Sequence, residues 1–219
     1  MLKADLHIHT CYSMDCDTLL EQVIARCTKL GIDCVAIADH GTIQGALKLK
    51  SIAPFKVIVA EEILTPSGEI MGMFLTEEIP SNISSDEAIA RIREQNGLVC
   101  IPHPYDRFRM SALKGKALEN IVPFADIIEV FNARTITPGC TKKAQKLVIK
   151  HGKLASAGSD AHSPGEIGLA YVEIPEFNDK AGFLQSLAKG KIVGNKASPL
   201  VHFTSTSNKL GKRLFNKRG

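Results

Sequence analysis

The sequence has no tryptophan, and aromatic residues make up only 5% of its 219 residues. It has no run near the ~18 consecutive apolar residues that a membrane-spanning helix needs. No long apolar leader follows Met1, so we expect no membrane partner and a cytoplasmic location. With 44% hydrophobic and 23% charged residues, the composition excludes a disordered chain, a collagen-like repeat and a disulfide-dense miniprotein. We expect one globular domain with a large core.

The six cysteines form no C-x-x-C pair, which argues against a zinc finger or a thioredoxin-like motif. Cys34 and Cys100 lie in apolar, strand-like runs, where a thiol behaves as a small hydrophobic group. The cysteines are therefore predicted to be free thiols in a reducing compartment.

Positive charge is concentrated at the C-terminal end. Of the 27 basic residues, five lie in residues 201–219, which contain no acid, and 22 basic residues face 23 acidic ones in the rest. A near-neutral body argues against a dedicated nucleic-acid binder. We therefore divide the chain into one domain over residues 1–200 and a basic tail over 201–219, which is expected to be solvated.

Short apolar runs alternate with helical periodicity along the chain. Strands are predicted at 3–8, 34–38, 56–60, 98–102, 126–131, 153–158 and 191–194, with further extended pieces at 69–76 and 168–174. Helices are predicted after the N-cap candidates Thr18 and Ser84 and at about 43–51, 141–151 and 179–189. About seven βα units in one domain predict a small α/β barrel.

Metal-binding side chains cluster at the C-terminal ends of the predicted strands. In a βα barrel these ends form one rim, so residues distant in sequence converge there. The candidates at these ends are His7, His9, His40, Glu62, His103, Asp160 and His162.

The spacing of these residues favours metal binding. His7 and His9 are two residues apart on one strand and can face the same side, and Asp160 and His162 offer a second such pair. Imidazole and carboxylate ligands without thiolate suit zinc, manganese or iron. The set exceeds what one tetrahedral ion needs, so we predict two or three divalent ions.

Three arginines follow the same strand ends and are candidates for binding substrate phosphate: Arg107, Arg109 and Arg134. A guanidinium group matches the oxygens of a phosphate well. Two other histidines are expected to be structural, because His151 falls in the last turn of a predicted helix and His202 lies near the tail.

The motifs Asp5-Leu6-His7-Ile8-His9, Asp39-His40, Glu62, His103-Pro104 and Asp160-Ala161-His162 together resemble the PHP family, the polymerase and histidinol phosphatase domains. They span most of the chain in the family order. The resemblance implies a distorted seven-stranded βα barrel, a trinuclear metal centre and phosphoesterase activity. The amidohydrolases also begin with a His-x-His strand, but the Asp-x-His ending fits the PHP family better.

The resemblance also implies a division of the ligands. One ion would be held by His7, His9, Glu62 and Asp160, with Glu62 bridging to a neighbour. A second would be held by His40 and His162 with an acid from the loop after His9, for which Asp15 is preferred over Asp17. A third would use Glu62 and His103. Many relatives place a histidine on the strand after the bridging glutamate, and Glu69 is the nearest substitute here.

The function implied is hydrolysis of a small phosphate monoester, a nucleotide being preferred, by a hydroxide that the bound metals activate. His40 or His162 would assist protonation of the leaving group, and Asp160 belongs to the same catalytic set. One alternative is a nuclease acting at strand ends of DNA or RNA. Another is a non-catalytic metal-binding module that serves a partner enzyme. The sequence leaves the oligomeric state open.

Overall fold

The computed structural model describes residues 1–198, so the predicted tail and His202 lie outside the described residues. The strands in this part are β1 (Leu2–Ile8), β2 (Cys34–Ile37), β3 (Lys56–Thr65), β4 (Gly68–Met73), β5 (Leu98–Ile101), β6 (Ile127–Asn132), β7 (Leu154–Gly158), β8 (Ala170–Ile174) and β9 (Lys191–Gly194). The helices are α1 (Leu20–Leu30), α2 (Gln44–Ile52), α3 (Ser85–Glu94), α4 (Gly115–Ile121), α5 (Cys140–His151) and α6 (Lys180–Leu187), and a 3-10 turn spans Val122–Phe124.

The strands form one sheet that curls into a nearly closed barrel. Their order is β7-β6-β5-β4-β3-β2-β1-β8-β9. Just beyond β7 the chain returns to β1, where Asp160 N donates to His7 O at 2.7 Å and His9 N donates to Ala161 O at 3.0 Å. The first seven strands therefore surround one interior, which confirms the predicted single-domain α/β barrel.

The barrel is not wholly parallel, because β4 runs antiparallel to both β3 and β5. Only Pro66 and Ser67 separate β3 from β4, a hairpin connection far too short for the crossover that a parallel pair requires. All six residues of β4 are buried, so the predicted extra piece at 69–76 is a barrel strand. The predicted strand at 191–194 instead pairs with β8, outside the first seven.

The helix starts agree with the sequence in one case and differ in another. Ser84 caps α3 as predicted, since its hydroxyl accepts the backbone N–H of Glu87 at 3.2 Å. The N-cap of α1 is Leu19, not Thr18, and Leu19 N donates to the side chain of Gln22 at 2.9 Å. The Thr18 carbonyl instead accepts a hydrogen bond from the loop after β1. The short helix α4 was not predicted.

Side chains along each strand point alternately into and out of the barrel. The inward-pointing apolar side chains fill its interior, and polar side chains lie at its rim. Ile58 and Ala60 of β3 belong to the apolar cluster inside the barrel, whereas Val59 packs in the cluster beneath the helices. The two-residue period carries Glu62 to the interior face after Ala60 and turns Glu61 outward. The pairing of β1 with β2 shifts register between Asp5 and Ile8, and His7 lies within this irregular segment.

Every helix in residues 1–198 falls short of the length and apolarity required to cross a membrane.

Candidate metal centre

The C-terminal rim of the barrel brings all nine predicted metal ligands together. Three groups of side chains have ligand atoms close enough to share an ion: His9, Asp15, His40 and His162; His7, His9 and Glu62; and His40, Glu62 and Glu69. Asp160 and His103 adjoin these groups through ion-pair contacts with His9 and Glu62. The roles of these residues as ligands stay predictions, but their convergence is a property of the fold.

The innermost group consists of His7 Nε2, His9 Nε2, Glu62 Oε2 and Asp160 Oδ1. The two nitrogens are 3.1 Å apart and lie between 3.3 and 3.7 Å from the two oxygens. Four ligands around a tetrahedral zinc ion lie about 3.3 Å from one another, given bonds of about 2.0–2.1 Å. Glu62 Oε2 and Asp160 Oδ1 are buried and accept no hydrogen bond in the described structure. The donor atoms and their spacing therefore fit a transition-metal ion.

The second group lies nearer the surface. Asp15 Oδ2 is 3.4 Å from His40 Nε2 and 3.3 Å from His162 Nε2. The side chains of His40 and Asp15 retain 15% and 12% of their exposure, whereas the innermost ligands retain none. Asp17, the less favoured choice, is exposed. This group fits an ion that is open to substrate on one side.

The third group adds Glu69 and His103 on the far side of Glu62. His103 Nε2 lies 2.7 Å from Glu62 Oε1 and 3.6 Å from Glu69 Oε2. His40 Nδ1 lies 3.5 Å from Glu62 Oε2 and 3.9 Å from Glu69 Oε1. Glu69 thus stands where the sequence expected a substitute ligand, and Glu62 is the carboxylate common to the innermost and third groups.

Electrostatics give three of the innermost residues, His9, Glu62 and Asp160, the protonation states that metal binding requires. Burial, reinforced by the neighbouring histidines, lowers the pKa of His9 to about 3. Burial alone would raise the pKa of Glu62 and Asp160, but His7 next to Glu62 and Arg109 next to Asp160 hold both pKa values well below the usual range. At neutral pH the two carboxyl groups are ionised and His9 is neutral, which are the states that bind cations.

Glu129 of β6 supports the ligands and was not among the predicted site residues. Its Oε1 lies 3.1 Å from His7 Nδ1, and its Oε2 accepts the backbone N–H of His103 at 2.7 Å. Asn132 Nδ2 donates to Glu129 Oε2 at 3.0 Å and to Asp160 Oδ2 at 3.2 Å. A carboxylate on Nδ1 leaves Nε2 of His7 free to bind a metal. The sign of this role in the sequence is that an acid, Glu129, lies inside the mostly apolar run 126–131.

The backbone is also specialised at this rim. His103 has φ +29° and Asp160 has φ +54°, in a region that non-glycine residues rarely occupy. Gly158 allows β7 to approach β1, because a Cβ at this position would lie 2.7 Å from the backbone nitrogen of His7. Such backbone strain persists only where surrounding contacts enforce it, and it is concentrated at functional sites.

The three predicted phosphate-binding arginines have different surroundings. Arg109 donates to Asp160 Oδ2. Arg134 is buried, with its Nη1 3.5 Å from the carbonyl of Asp160 and its Nε 3.5 Å from Glu166 Oε1. Arg107 is exposed on the same loop as Arg109. Two of the three therefore reach the centre, and the role of each in phosphate binding stays a prediction.

Glu61 and His151 lie outside the metal centre. Glu61 turns away from it, and its Oε2 accepts the backbone N–H of Ile79 at 2.9 Å. His151 is the last residue of α5, as expected for a structural histidine.

The family comparisons agree with these motifs. The PHP domain matches residues 5–65, and the PHP-associated family matches residues 141–192. The uncharacterized protein MJ0417 of Methanocaldococcus jannaschii is 38% identical over 183 residues, which cover 81% of this chain and 72% of that protein. MJ1587 of the same organism, also uncharacterized, is 39% identical over 147 residues, covering 60% and 82%. The chain belongs to the PHP family, which confirms the resemblance.

Solved structures share the fold. A two-domain protein of Bacteroides vulgatus that contains a predicted PHP-like metal-dependent phosphoesterase has a TM-score of 0.71 at 16% identity, over 89% of this chain and 65% of that one. A protein of Bifidobacterium adolescentis that is predicted to be a metal-dependent phosphoesterase has a TM-score of 0.64 at 18% identity, over 86% of this chain and 96% of that one. An amidohydrolase from Chromobacterium violaceum has a TM-score of 0.62 at 18% identity, over 87% and 97%. At these identities the likeness shows the fold alone.

Proposed function

We propose that the protein is a metal-dependent phosphoesterase that hydrolyses a small phosphate monoester, with a nucleotide as the preferred substrate. The observation that carries the proposal is the position of Glu62. Oε2 of this buried carboxylate contacts His7, His9 and His40, and its Oε1 contacts His103. Ions held by these groups would therefore be neighbours that share a ligand, and a phosphate monoester is a substrate that needs several cations at once.

Bound divalent ions lower the pKa of water and stabilise negative charge on phosphoryl oxygens. His7, His9, Glu62 and Asp160 would hold one ion, and Asp15, His40 and His162 a second. His103 and Glu69 would complete a third with Glu62. The chain's own contribution is to keep these donors oriented in a dry site, which the buried contacts of Glu129 and Asn132 secure.

The partly exposed side of the centre is where substrate would enter. Arg109 lies at this side, with 18% of its side chain exposed, and can donate to a phosphate oxygen from its position beside Asp160. His40 and His162 line the same side, and one of them would assist protonation of the leaving oxygen.

A non-catalytic module gains no support from this arrangement, since a purely structural site has no need of an exposed ligand face. A nuclease acting at strand ends shares the same chemistry, and the basic exposed side of α5 favours it as the second candidate.

The test combines metal analysis with a phosphate-release screen. Elemental analysis after gentle purification, beside a metal-replete control, should give two or three transition-metal ions per chain. The screen covers nucleotides, sugar phosphates, histidinol phosphate and short oligonucleotides with added manganese, and we expect release from a nucleotide monophosphate. A metal content that never exceeds one ion, or no release from any compound, would contradict the proposal.

A further inference from the structure

The loop after β5 carries cations and an exposed aromatic ring at the mouth of the metal centre. Its sequence from Tyr105 is Tyr-Asp-Arg-Phe-Arg-Met. Arg109 reaches inward to Asp160, while Arg107 is exposed and Phe108 leaves 72% of its surface open to solvent. The loop therefore offers charge towards the centre and an apolar ring beside it.

This loop is fixed to the beginning of α5. Arg107 N donates to Thr137 Oγ1 at 3.0 Å, and Cys140 Sγ lies 3.3 Å from the carbonyl of Tyr105. Lys143 Nζ lies over the Tyr105 ring, 5.9 Å from its centre. The exposed side of α5 is thus a continuation of the loop that borders the metal centre.

The exposed side of α5 is basic along its whole length. The helix sequence Cys-Thr-Lys-Lys-Ala-Gln-Lys-Leu-Val-Ile-Lys-His contains five basic residues and no acid. Lys143, Lys146 and Lys150 are spaced three and four residues apart, which places them on one face. Together with His151 they line a groove of about 370 Å³. Among the described residues that line this groove, Glu119 is the one acid.

The dimensions of this face suit a chain of phosphates. The seven helical steps from Lys143 to Lys150 rise roughly 10 Å, so a strand that lies along this face can bring one phosphate to each of its three lysines. Cations along a groove combined with an exposed ring for base stacking are the recognition chemistry of single strands. The near-neutral composition of the body conceals this surface, because acids elsewhere in the chain offset the basic residues of this one helix.

We infer that α5 and the loop from Tyr105 to Met110 bind single-stranded nucleic acid, with the terminal phosphate directed to the metal centre. The inference rests on the proposed function, because that function assigns hydrolysis of the terminal phosphate to the metal centre. What it adds to the proposed function is the surface that holds the rest of the strand.

The test measures binding separately from hydrolysis. Fluorescence anisotropy with 12-residue oligothymidylate and oligouridylate gives Kd between 50 and 200 mM salt and also distinguishes DNA from RNA. The triple variant Lys143→Glu, Lys146→Glu, Lys150→Glu is compared with Lys29→Glu, Lys48→Glu, Lys50→Glu, which changes net charge equally at exposed positions on α1 and α2. Phe108→Ala tests the ring without changing charge.

We expect the α5 triple variant to bind at least tenfold more weakly and its log–log salt slope to be shallower by about 2, at about 0.7 per phosphate bound. The control triple variant should stay within threefold of the unmodified chain, and Phe108→Ala should weaken binding about tenfold. Equal weakening in both triple variants, no binding by the unmodified chain, or equal competition by polyglutamate would overturn the inference.

Phosphate release from a mononucleotide separates this inference from the proposed function. The α5 variant should keep that activity within twofold, since one phosphate does not reach α5. If strand binding depends on α5 while no variant releases phosphate from any substrate, the surface stands and the proposed function fails.

Discussion

The inner and outer halves of the metal centre are held in different ways. The inner ligands His7, His9, Glu62 and Asp160 are fully buried on or beside barrel strands, and partners such as Glu129 fix their orientation. The outer ligands Asp15, His40 and His162 come from loops, and their side chains remain partly exposed. The fold thus pre-organises one half for tight metal binding and leaves the other accessible to substrate.

The largest effect should come from the inner half. Asp160→Ala and His9→Ala each remove a donor from the innermost group, and Asp160→Ala also leaves Arg109 without its carboxylate partner. We expect turnover to fall by at least about a thousandfold, which corresponds to roughly 4 kcal/mol on the barrier. Metal content should fall with it. The measurement is kcat/KM with elemental analysis on folded variants.

His151→Ala is the control for these variants, because His151 lies at the far end of α5. Its turnover of a nucleotide monophosphate should stay within twofold. An equal loss in all three folded variants would show that the separation of metal-binding from structural histidines is wrong.

The next effect should come from the support of the inner half. Glu129→Gln keeps the shape of the side chain but removes the charge that orients His7, and loss of such a partner costs about 10–100-fold in metal affinity. Glu61→Gln is the matched control, because Glu61 is also buried but faces outward and a glutamine still accepts from Ile79 N. Competition with a metal-sensitive dye measures both. Similar losses in both variants would assign the effect to buried charge in general.

A weaker effect should come from Arg109, which is no metal ligand but contacts Asp160 from the mouth of the site. Arg109→Ala removes a charged donor at the mouth of the site and should lower kcat/KM on a nucleotide by about 1–2 kcal/mol, or roughly 5–30-fold. Arg107→Ala should change kcat/KM little, because Arg107 is exposed on the loop, whereas Arg109 contacts Asp160. Steady-state kinetics on a nucleotide monophosphate compares them. A larger loss from Arg107→Ala would place the phosphate on the opposite side of the loop.

The same contrast explains what the sequence could predict. The inner ligands are signalled by strand ends and by two-residue spacing, both of which are local patterns. Glu129 was missed because an acid inside a strand does not reveal which neighbour it will contact across the barrel. The antiparallel strand β4 was missed as a barrel member because a hairpin of two residues, not the hydrophobic pattern, decides its direction.

Surface charge shows the same limit. The lysines of α5 lie together in one helix and by themselves look like an ordinary solvated face. Their position beside the loop from Tyr105 to Met110 depends on contacts such as Arg107 N with Thr137 Oγ1. A total charge near zero in the body therefore says little about one face of it.

The smallest effect should come from outside both halves, in the basic tail. Ending the chain at residue 205 removes five positive charges. A small monoester presents a single phosphate, which the metal ligands and Arg109 can surround without further cations. We therefore expect kcat/KM on a nucleotide to stay within about twofold, less than ~0.5 kcal/mol on the barrier. On an oligonucleotide, the salt slope would flatten by about 0.7 for each phosphate that the tail had neutralised. Kinetics of full-length and truncated chains on both substrates, at low and moderate salt, make the comparison. A folded, truncated chain that keeps nucleotide activity but loses most oligonucleotide turnover would move the strand-binding role from α5 to the tail.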